Sequence, residues 1–498
     1  MTALTQHTDN QGNSLGTRTT WRQTFGRDFT ASLVVFLVAL PLCVGVAVAS
    51  GVPAELGIVT GIVGGIVVGL LPGSTMQVSG PAAGLTVLVA DTVAEHGIAA
   101  LGVIVLGAGL LQILLGVLRC GTWFRAISPA VVQGMLAGIG LVLIVGQLYP
   151  LMGGSQPSGT WAKLAGLPEL IVRALTTPAG LTALGVGVLT IIVSVLWQRT
   201  PPRLSVLPGV LVGVVVATAV SVMAGFDLHR IEVGSLHDEL HLPDLSLLNA
   251  GVLGAAVVFA LVSSAESLFS ATAVDRMHSG PRTRYNTELI AQGAGNTVCG
   301  LLGALPMTAV IVRSAANVQA GAQTKASRVL HGVWLLLFVA LLPGVLGLIP
   351  SAVLAALLVH SGWKLLGLKG VAGMLRTDRA EAAILVLTAG LIVATDLLTG
   401  TVAGLLAAVI KTAWDVSHLS VTVTPQDDDD EVVVLRGNAT FLRLPRLLAV
   451  LEGLPLTKHV RLDLTGLRHL DQACQQAIDN WASRHREAGL DVDVIRRP

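Results

Sequence analysis

From Phe29 to about Val416 the sequence passes through one apolar run after another, each long enough to cross a bilayer. Nothing constrains the fold of this chain more. Hydrocarbon offers no water to a backbone N–H or C=O, so a spanning segment must close its own hydrogen bonds as a helix. Irregular backbone survives at that depth only against protein or a watery cavity. Over 498 residues the chain is 53% hydrophobic and 12% charged, with mean hydropathy +0.75. A soluble domain of this size does not have that balance. The expected fold is an α-helical polytopic membrane protein. A net charge of +1 provides no bulk field for nucleic acid. Cys43, Cys120, Cys299 and Cys474 are scattered, with neither a disulfide framework nor a metal-ligand spacing. There is no Walker sequence and no nucleophile–base–orienter set, so direct ATP drive and enzymatic catalysis are not expected, and no cofactor is implied.

Spans are read at roughly 29–50, 54–72, 80–95, 98–118, 128–150, 178–198, 206–225, 250–270, 286–305, 313–323, 327–346, 350–366, 380–398 and 400–418, about fourteen in all. This count puts Arg119 and Arg125, Arg199 and Arg203, Arg276, Arg282 and Arg284, Lys325 and Arg328, and Lys364, Lys369, Arg376 and Arg379 on one side. The positive-inside rule makes that side cytoplasmic. The loop 226–249, with Asp227, Glu232, Asp238, Glu239 and Asp244, lies opposite, together with Lys163 and Arg173. The expectation is a multi-pass protein of the inner (cytoplasmic) membrane with both termini cytoplasmic. A polar segment, 1–28, carries Arg18, Arg22 and Arg27 and lacks a cleavable apolar stretch, so the first span is expected to direct insertion.

Glycine is abundant, and in lipid small residues let helix backbones approach closely. Two segments break the helical pattern. Ser74-Thr75-Met76-Gln77-Val78-Ser79-Gly80-Pro81 is short and polar and leads into a helix, with Pro81 placed at its first turn. Pro306-Met307-Thr308-Ala309-Val310-Ile311-Val312-Arg313-Ser314 does the same in the second half. Interrupted spans in corresponding places of two halves point to a carrier with an internal repeat, its helix N-termini meeting near the midplane.

Arg313 is a cation inside membrane. A lone charge there costs roughly 2.5–3.5 kcal/mol on insertion scales, and it is kept when it pairs with something. No acid is near it in sequence, so its partner is either a remote carboxylate or a substrate anion. Helix N-termini carry unpaired N–H groups and partial positive charge, which with Arg313 make an anion site. The Ser79 and Ser314 hydroxyls and the amides after Pro81 and Arg313 are candidate ligands, and Ala82, Ala83 and Ala315 leave room against the backbone. Glu266 is the other clearly intramembrane ionisable group. Substrate competing for Arg313 would push Glu266 towards protonation, a physical route to proton–anion symport. Ser267 is grouped with Glu266 as the coupling-ion site. His237-Asp238-Glu239-Leu240-His241 has two histidines at i, i+4, but no glutamate follows the first and Pro243 stops a helix, so no metal site is read there.

The tail changes character at an acidic linker, 421–431, which includes Asp427–Glu431. Strands are expected at Val432–Leu435, His459–Leu464 and Val492–Ile495, and helices at Pro445–Glu452 and Asp471–Glu487. Together they read as a small α/β domain, 432–498.

With these motifs in order, Ala39-Leu40-Pro41-Leu42, Val78-Ser79-Gly80-Pro81, Glu266 after small residues and Val312-Arg313-Ser314-Ala315-Ala316-Asn317, the chain resembles the SulP anion permeases, and its tail resembles their cytoplasmic STAS domain. The resemblance implies a transport domain, 29–420, of two intertwined seven-span inverted repeats. Spans 1–4 and 8–11 would form a core carrying the anion between the starts of spans three and ten. Spans 5–7 and 12–14 would form a gate. A homodimer and an elevator-like movement are implied. Sulfate, bicarbonate and C4-dicarboxylates such as fumarate are all family substrates. Val312 stands where many relatives have a hydroxyl residue, and Leu42, Cys43 and Val46 stand where some direct polar or aromatic groups at the anion. The more apolar pocket favours an organic anion. Sodium-coupled bicarbonate relatives have an aspartate in span eight; the longer Glu266 favours protons. A sodium-coupled symporter and a passive anion channel are the alternatives on the same fold. Leu464-Thr465-Gly466-Leu467-Arg468-His469-Leu470-Asp471 resembles the strand-to-helix loop of anti-sigma antagonists, with Gln472-Ala473-Cys474 in place of their phosphorylatable serine region.

Overall fold

A computed structural model describes residues 21–122, 128–157, 159–197, 199, 207–231, 234, 240–427, 430–454 and 459–496. Arg18, Arg125, Arg203, Glu232, His237, Asp238 and Glu239, used above to read topology or to weigh a metal site, lie outside them, as do Asp428 and Asp429 of the acidic run. The chain divides into two compact units, Met1–Gly404 and Leu405–Pro498.

The first unit is helical, and each predicted span up to 380–398 contains a helix: α1 (Trp21–Ala49), α2 (Ala54–Val63, continued by a π-helical turn, Gly64–Val68), α3 (Thr86–His96), α4 (Ile98–Val117), α5 (Pro129–Leu151), α6 (Thr160–Thr176), α7 (Pro178–Trp197), α8 (Gly209–Met223), α9 (Ala250–Val274), α10 (Tyr285–Leu301), α11 (Ile311–Gln319), α12 (Ala326–Leu341), α13 (Ser351–Leu365), α14 (Leu368–Thr377) and α15 (Arg379–Ala394). The last predicted span, 400–418, contains α16 (Leu397–Val416), which crosses the boundary between the units. Among the described residues, seven helices are long and apolar enough to cross a membrane, and Ala54–Val68, Gly209–Met223 and Ala326–Leu341 are shorter apolar helices. The protein is therefore an integral membrane protein.

α6 and α14 were not expected. α6 mixes Lys163, Glu169 and Arg173 with apolar residues and contains Pro168, so no continuous apolar run marks it. Helix starts follow local chemistry: Ser128 accepts from Ala130 N at 3.2 Å ahead of Pro129, and Asn249 accepts from Val252 N at 2.9 Å. Glycine permits a close crossing of α4 on α10. A Cβ at Gly109 would fall 2.3 Å from Thr297 N, and one at Gly300 would fall 2.2 Å from Leu106 N.

The two interruptions are strands, not helix starts. β1 (Ser79–Pro81) pairs antiparallel with β2 (Met307–Ala309) in the register Ser79 with Ala309, Gly80 with Thr308 and Pro81 with Met307. Pro81 thus ends a strand, and α3 begins only after a 3-10 turn, Ala83–Leu85. Proline donates nothing to a ladder, which restricts it to a strand edge. Its neighbour Met307 is served instead by Asn296, which accepts from Met307 N at 2.7 Å and donates to Met307 O at 3.1 Å. Each strand runs into a short helix, α3 or α11, so two like motifs meet across one ladder.

In the second unit β3 (Leu419–Asp427) and β4 (Asp430–Ala439) are antiparallel, while β5 (His459–Leu470) and β6 (Val492–Ile495) add in parallel, in the order β3-β4-β5-β6. α17 (Leu444–Glu452) and α18 (Gln472–Glu487) pack with the strands around Val433, Leu435, Leu451, Leu462, Ile478 and Trp481. The strands and helices expected after Val432 are all present. The segment read as a linker is different: its described residues, 421–427 and 430–431, belong to the paired strands β3 and β4.

Candidate functional site

The ladder places the starts of α3 and α11 together, and side chains from neighbouring helices hold it. Ser314 accepts from Val78 N at 2.9 Å and donates to Val310 O at 2.8 Å. Asn317 donates to Met76 O at 3.0 Å, and Ser267 accepts from Ala309 N at 3.2 Å. Behind the ladder runs a buried polar line on α10. Glu288 accepts from Ser74 N at 2.7 Å and from Gln292 at 2.8 Å, and Gln292 donates to the Ser79 hydroxyl at 2.6 Å. Arg328, expected in a cytoplasmic loop, is only 2% exposed. It lies in the first turn of α12 and donates to Leu71 O at 3.0 Å and Gln77 O at 3.4 Å, closing the loop before β1.

Arg313 is fully buried, at 0% exposure. Its Nη2 donates to Pro81 O at 3.5 Å, while Nε and Nη1 have no hydrogen-bond partner. No acid pairs with it among the described residues. Gly80 makes this position possible, because a Cβ there would lie 2.1 Å from Nη1.

Arg313 borders a cavity of about 1120 Å³. Leu42, Pro81, Ala83, Val312 and Ala315 line it with Arg313, and so does Glu266. The aliphatic side of the wall includes Val34, Val38 and Val46, and Gln133, Gln319, Ser361 and Lys364 also border the cavity. Glu266 projects from α9 against the turn before α3: a Cβ at Gly84 would fall 2.7 Å from its Oε1, and its Oε2 has no hydrogen-bond partner.

Most of the residues singled out from sequence are therefore in one place, in different roles. Ser79, Gly80, Ala82, Ser314, Cys43 and Ser267 do not line the cavity. The Ser79 and Ser314 hydroxyls and Ser267 are taken up by the ladder and its supports, Gly80 packs on the guanidinium, and Cys43 lies within electrostatic reach of Arg313. Glu266 and Arg313 share the cavity without forming an ion pair in this structure. Sequence reasoning missed Glu288, Gln292 and Asn296. Their i, i+4, i+8 spacing in the span 286–305 was the available signal, since that period sets all three on one helix face.

The Sulfate permease family signature matches residues 25–388. The chain belongs to that family. YvdB of Bacillus subtilis (strain 168) is 31% identical over 348 residues, 68% of this chain and 64% of that one, so the chain spans just under two thirds of that relative. The bicarbonate transporter BicA of Synechocystis sp. (strain ATCC 27184 / PCC 6803 / Kazusa) is 25% identical over 85% of this chain and 79% of its own length. Among solved structures, the transmembrane domain of a cyanobacterial BicA superposes with a TM-score of 0.65 at 25% identity, covering 78% of this chain and 98% of that one. Murine solute carrier 26 family member A9 superposes at 0.79 over 96% of this chain and 87% of that one, and at 17% identity this likeness concerns the fold alone.

Proposed function

We propose that the protein is a secondary active carrier of a small anion, bound at Arg313 between the starts of α3 and α11 and coupled to protons through Glu266. One observation carries the reading: a guanidinium buried at a cavity in a membrane protein, without an acid to neutralise it. A resident ion pair would need a carboxylate within reach, and none of the described acids takes that position. An anion entering the cavity meets the first amides of α11 and the helix dipole as well as the arginine. Family membership supports the same class of solute, and BicA is named for one such anion, bicarbonate.

Coupling follows from the shared cavity. Two like charges about 8 Å apart at an effective dielectric near 20 repel by roughly 2 kcal/mol. An anion beside Arg313 therefore favours the neutral, protonated Glu266, and anion and proton load together. The largely aliphatic wall fits sulfate or bicarbonate as well as a C4-dicarboxylate such as fumarate, with the carbon chain of the last against Val38, Leu42 and Val46. In this reading α1–α4 and α9–α12 form the anion-carrying core, while α5, α7, α8, α13, α15 and α16 form the gate. The second unit is a STAS domain, the assembly is a homodimer in the inner membrane, and both termini are cytoplasmic. The large cavity reaches Thr30, Trp197, Gln319 and Lys364, at span ends next to the basic loops, which supports reading this state as inward-facing, and the core is proposed to move like an elevator.

The deciding experiment is uptake of labelled sulfate, bicarbonate and fumarate into proteoliposomes, with a proton gradient, a sodium gradient or neither. Concentrative uptake driven by protons is expected. Accumulation driven by sodium alone would replace the coupling ion. Flux that only dissipates a gradient would make the protein a channel.

A further inference from the structure

A second cavity, of about 740 Å³, opens at the opposite ends of the spans, bordered by Ser50, Ala94, Gln147, His229 and Ser351. It holds two opposite charges, Asp91 of α3 and Lys163 of α6. Lys163 is only 3% exposed. Its carbonyl accepts from the Tyr149 hydroxyl at 2.6 Å. With the Gln156 amide turned to satisfy both its groups, the amide oxygen accepts from Lys163 Nζ at 3.1 Å and the nitrogen donates to Gly146 O at 3.0 Å. The ammonium is thus fixed to the α5–α6 wall. The acid opposite is carried by the half-helix that follows β1 and ends the anion site. Asp91, which lines the same cavity as Lys163, lies within electrostatic reach of Lys163 and of Asp396, between α15 and α16.

A buried ammonium needs a negative partner, and this one has two alternatives: the carboxylate that moves with α3, and the solute. A lysine head is a compact point charge that makes few demands on the shape of its partner. We infer that Lys163 is the docking residue for the anion on the outer face, with Asp91, which lines the same cavity, competing for its ammonium until incoming solute takes it. The inference rests on the carrier reading above and adds a second binding position to it, filled before Arg313 is reached. Arg313 keeps the discrimination between anions, because its planar fork is selective where an ammonium is not.

The test separates the two faces of the membrane. In right-side-out vesicles loaded or bathed with labelled sulfate or bicarbonate, Lys163→Gln should raise the external KM roughly three- to tenfold and leave the internal KM unchanged. Asp91→Asn should lower the external KM, and that effect should vanish in the Lys163→Gln background. Equal shifts on both faces, no shift, or additive effects of the two substitutions would overturn the inference while leaving the carrier reading intact. A second readout does not depend on transport. Labelling of the Lys163 amine by an impermeant N-hydroxysuccinimide ester added outside should quicken several-fold in Asp91→Asn, and an unchanged rate overturns the inference. If wild-type vesicles show no saturable anion flux, the carrier reading fails, and labelling alone decides whether Asp91 acts on Lys163.

Discussion

Arg313 and Gly80 determine each other's place. The guanidinium lies against the Gly80 backbone, and a methyl group there would stand 2.1 Å from Nη1. Gly80→Ala must therefore push the arginine from its seat without changing any charge. We expect Arg313→Ala to weaken anion binding by about 2 kcal/mol, roughly thirtyfold, the scale of a lost charged hydrogen bond. Gly80→Ala should follow in the same direction. Calorimetric titration of the purified protein, with its thermal unfolding as a control, reads both, and unchanged affinity in Arg313→Ala would remove the anion site. For Glu266→Gln, uptake should persist but cease to respond to an imposed proton gradient; concentrative proton-driven uptake in that variant counts against the coupling role. Outside the membrane, burial, then the hydrogen bond and charge of Asp471, push the Cys474 thiol up to about 12. A raised thiol pKa means less thiolate, so at about pH 8 Cys474 should resist iodoacetamide in the folded protein and react once unfolded. Rapid alkylation in the native state would contradict the packing of α18.

At the level of elements, what was legible in the sequence follows from hydrogen-bond range. Helices in lipid close their bonds locally, so apolar length predicted them, and Val432 to Ile495 showed its alternation and helical faces in the same way. The breaks at Ser79 and Met307 were visible because helix chemistry stops there. Their pairing was not, because a three-residue ladder between positions over two hundred residues apart has no period to detect. Arg328 misled because a charge near a span end reads as a loop charge; only its carbonyl partners at Leu71 and Gln77 reveal that it is enclosed. Asn296 supports the strand edge that Pro81 cannot. Asn296→Ala would leave Met307 N and O buried without those partners, at a cost of about 1–3 kcal/mol. A lower melting temperature with weaker anion binding is expected, and a neutral substitution would show that β2 is held by something else.

For the whole molecule, the two cavities lie on opposite sides of one crossing, which is the arrangement alternating access needs. Every residue bordering either cavity precedes Gly404. Removal of 419–498 should therefore leave transport measurable in vesicles; cutting later, at Asp427, would strip β3 of its partner β4. Complete loss of flux in a correctly inserted truncation would give the second unit an obligatory part in the cycle.

The crossing ladder has one more consequence. Main-chain bonds join β1 to β2, the strands that lead into α3 and α11, so on the proposed carrier reading the solute's seat should shift as a single block. Deuterium should reach the amides of Gly80, Thr308 and Val310 last of all, at the rate of global unfolding, while the flanking walls exchange through smaller openings. A cycle that disassembled its own binding seat at each turnover would leave those amides among the earliest to exchange.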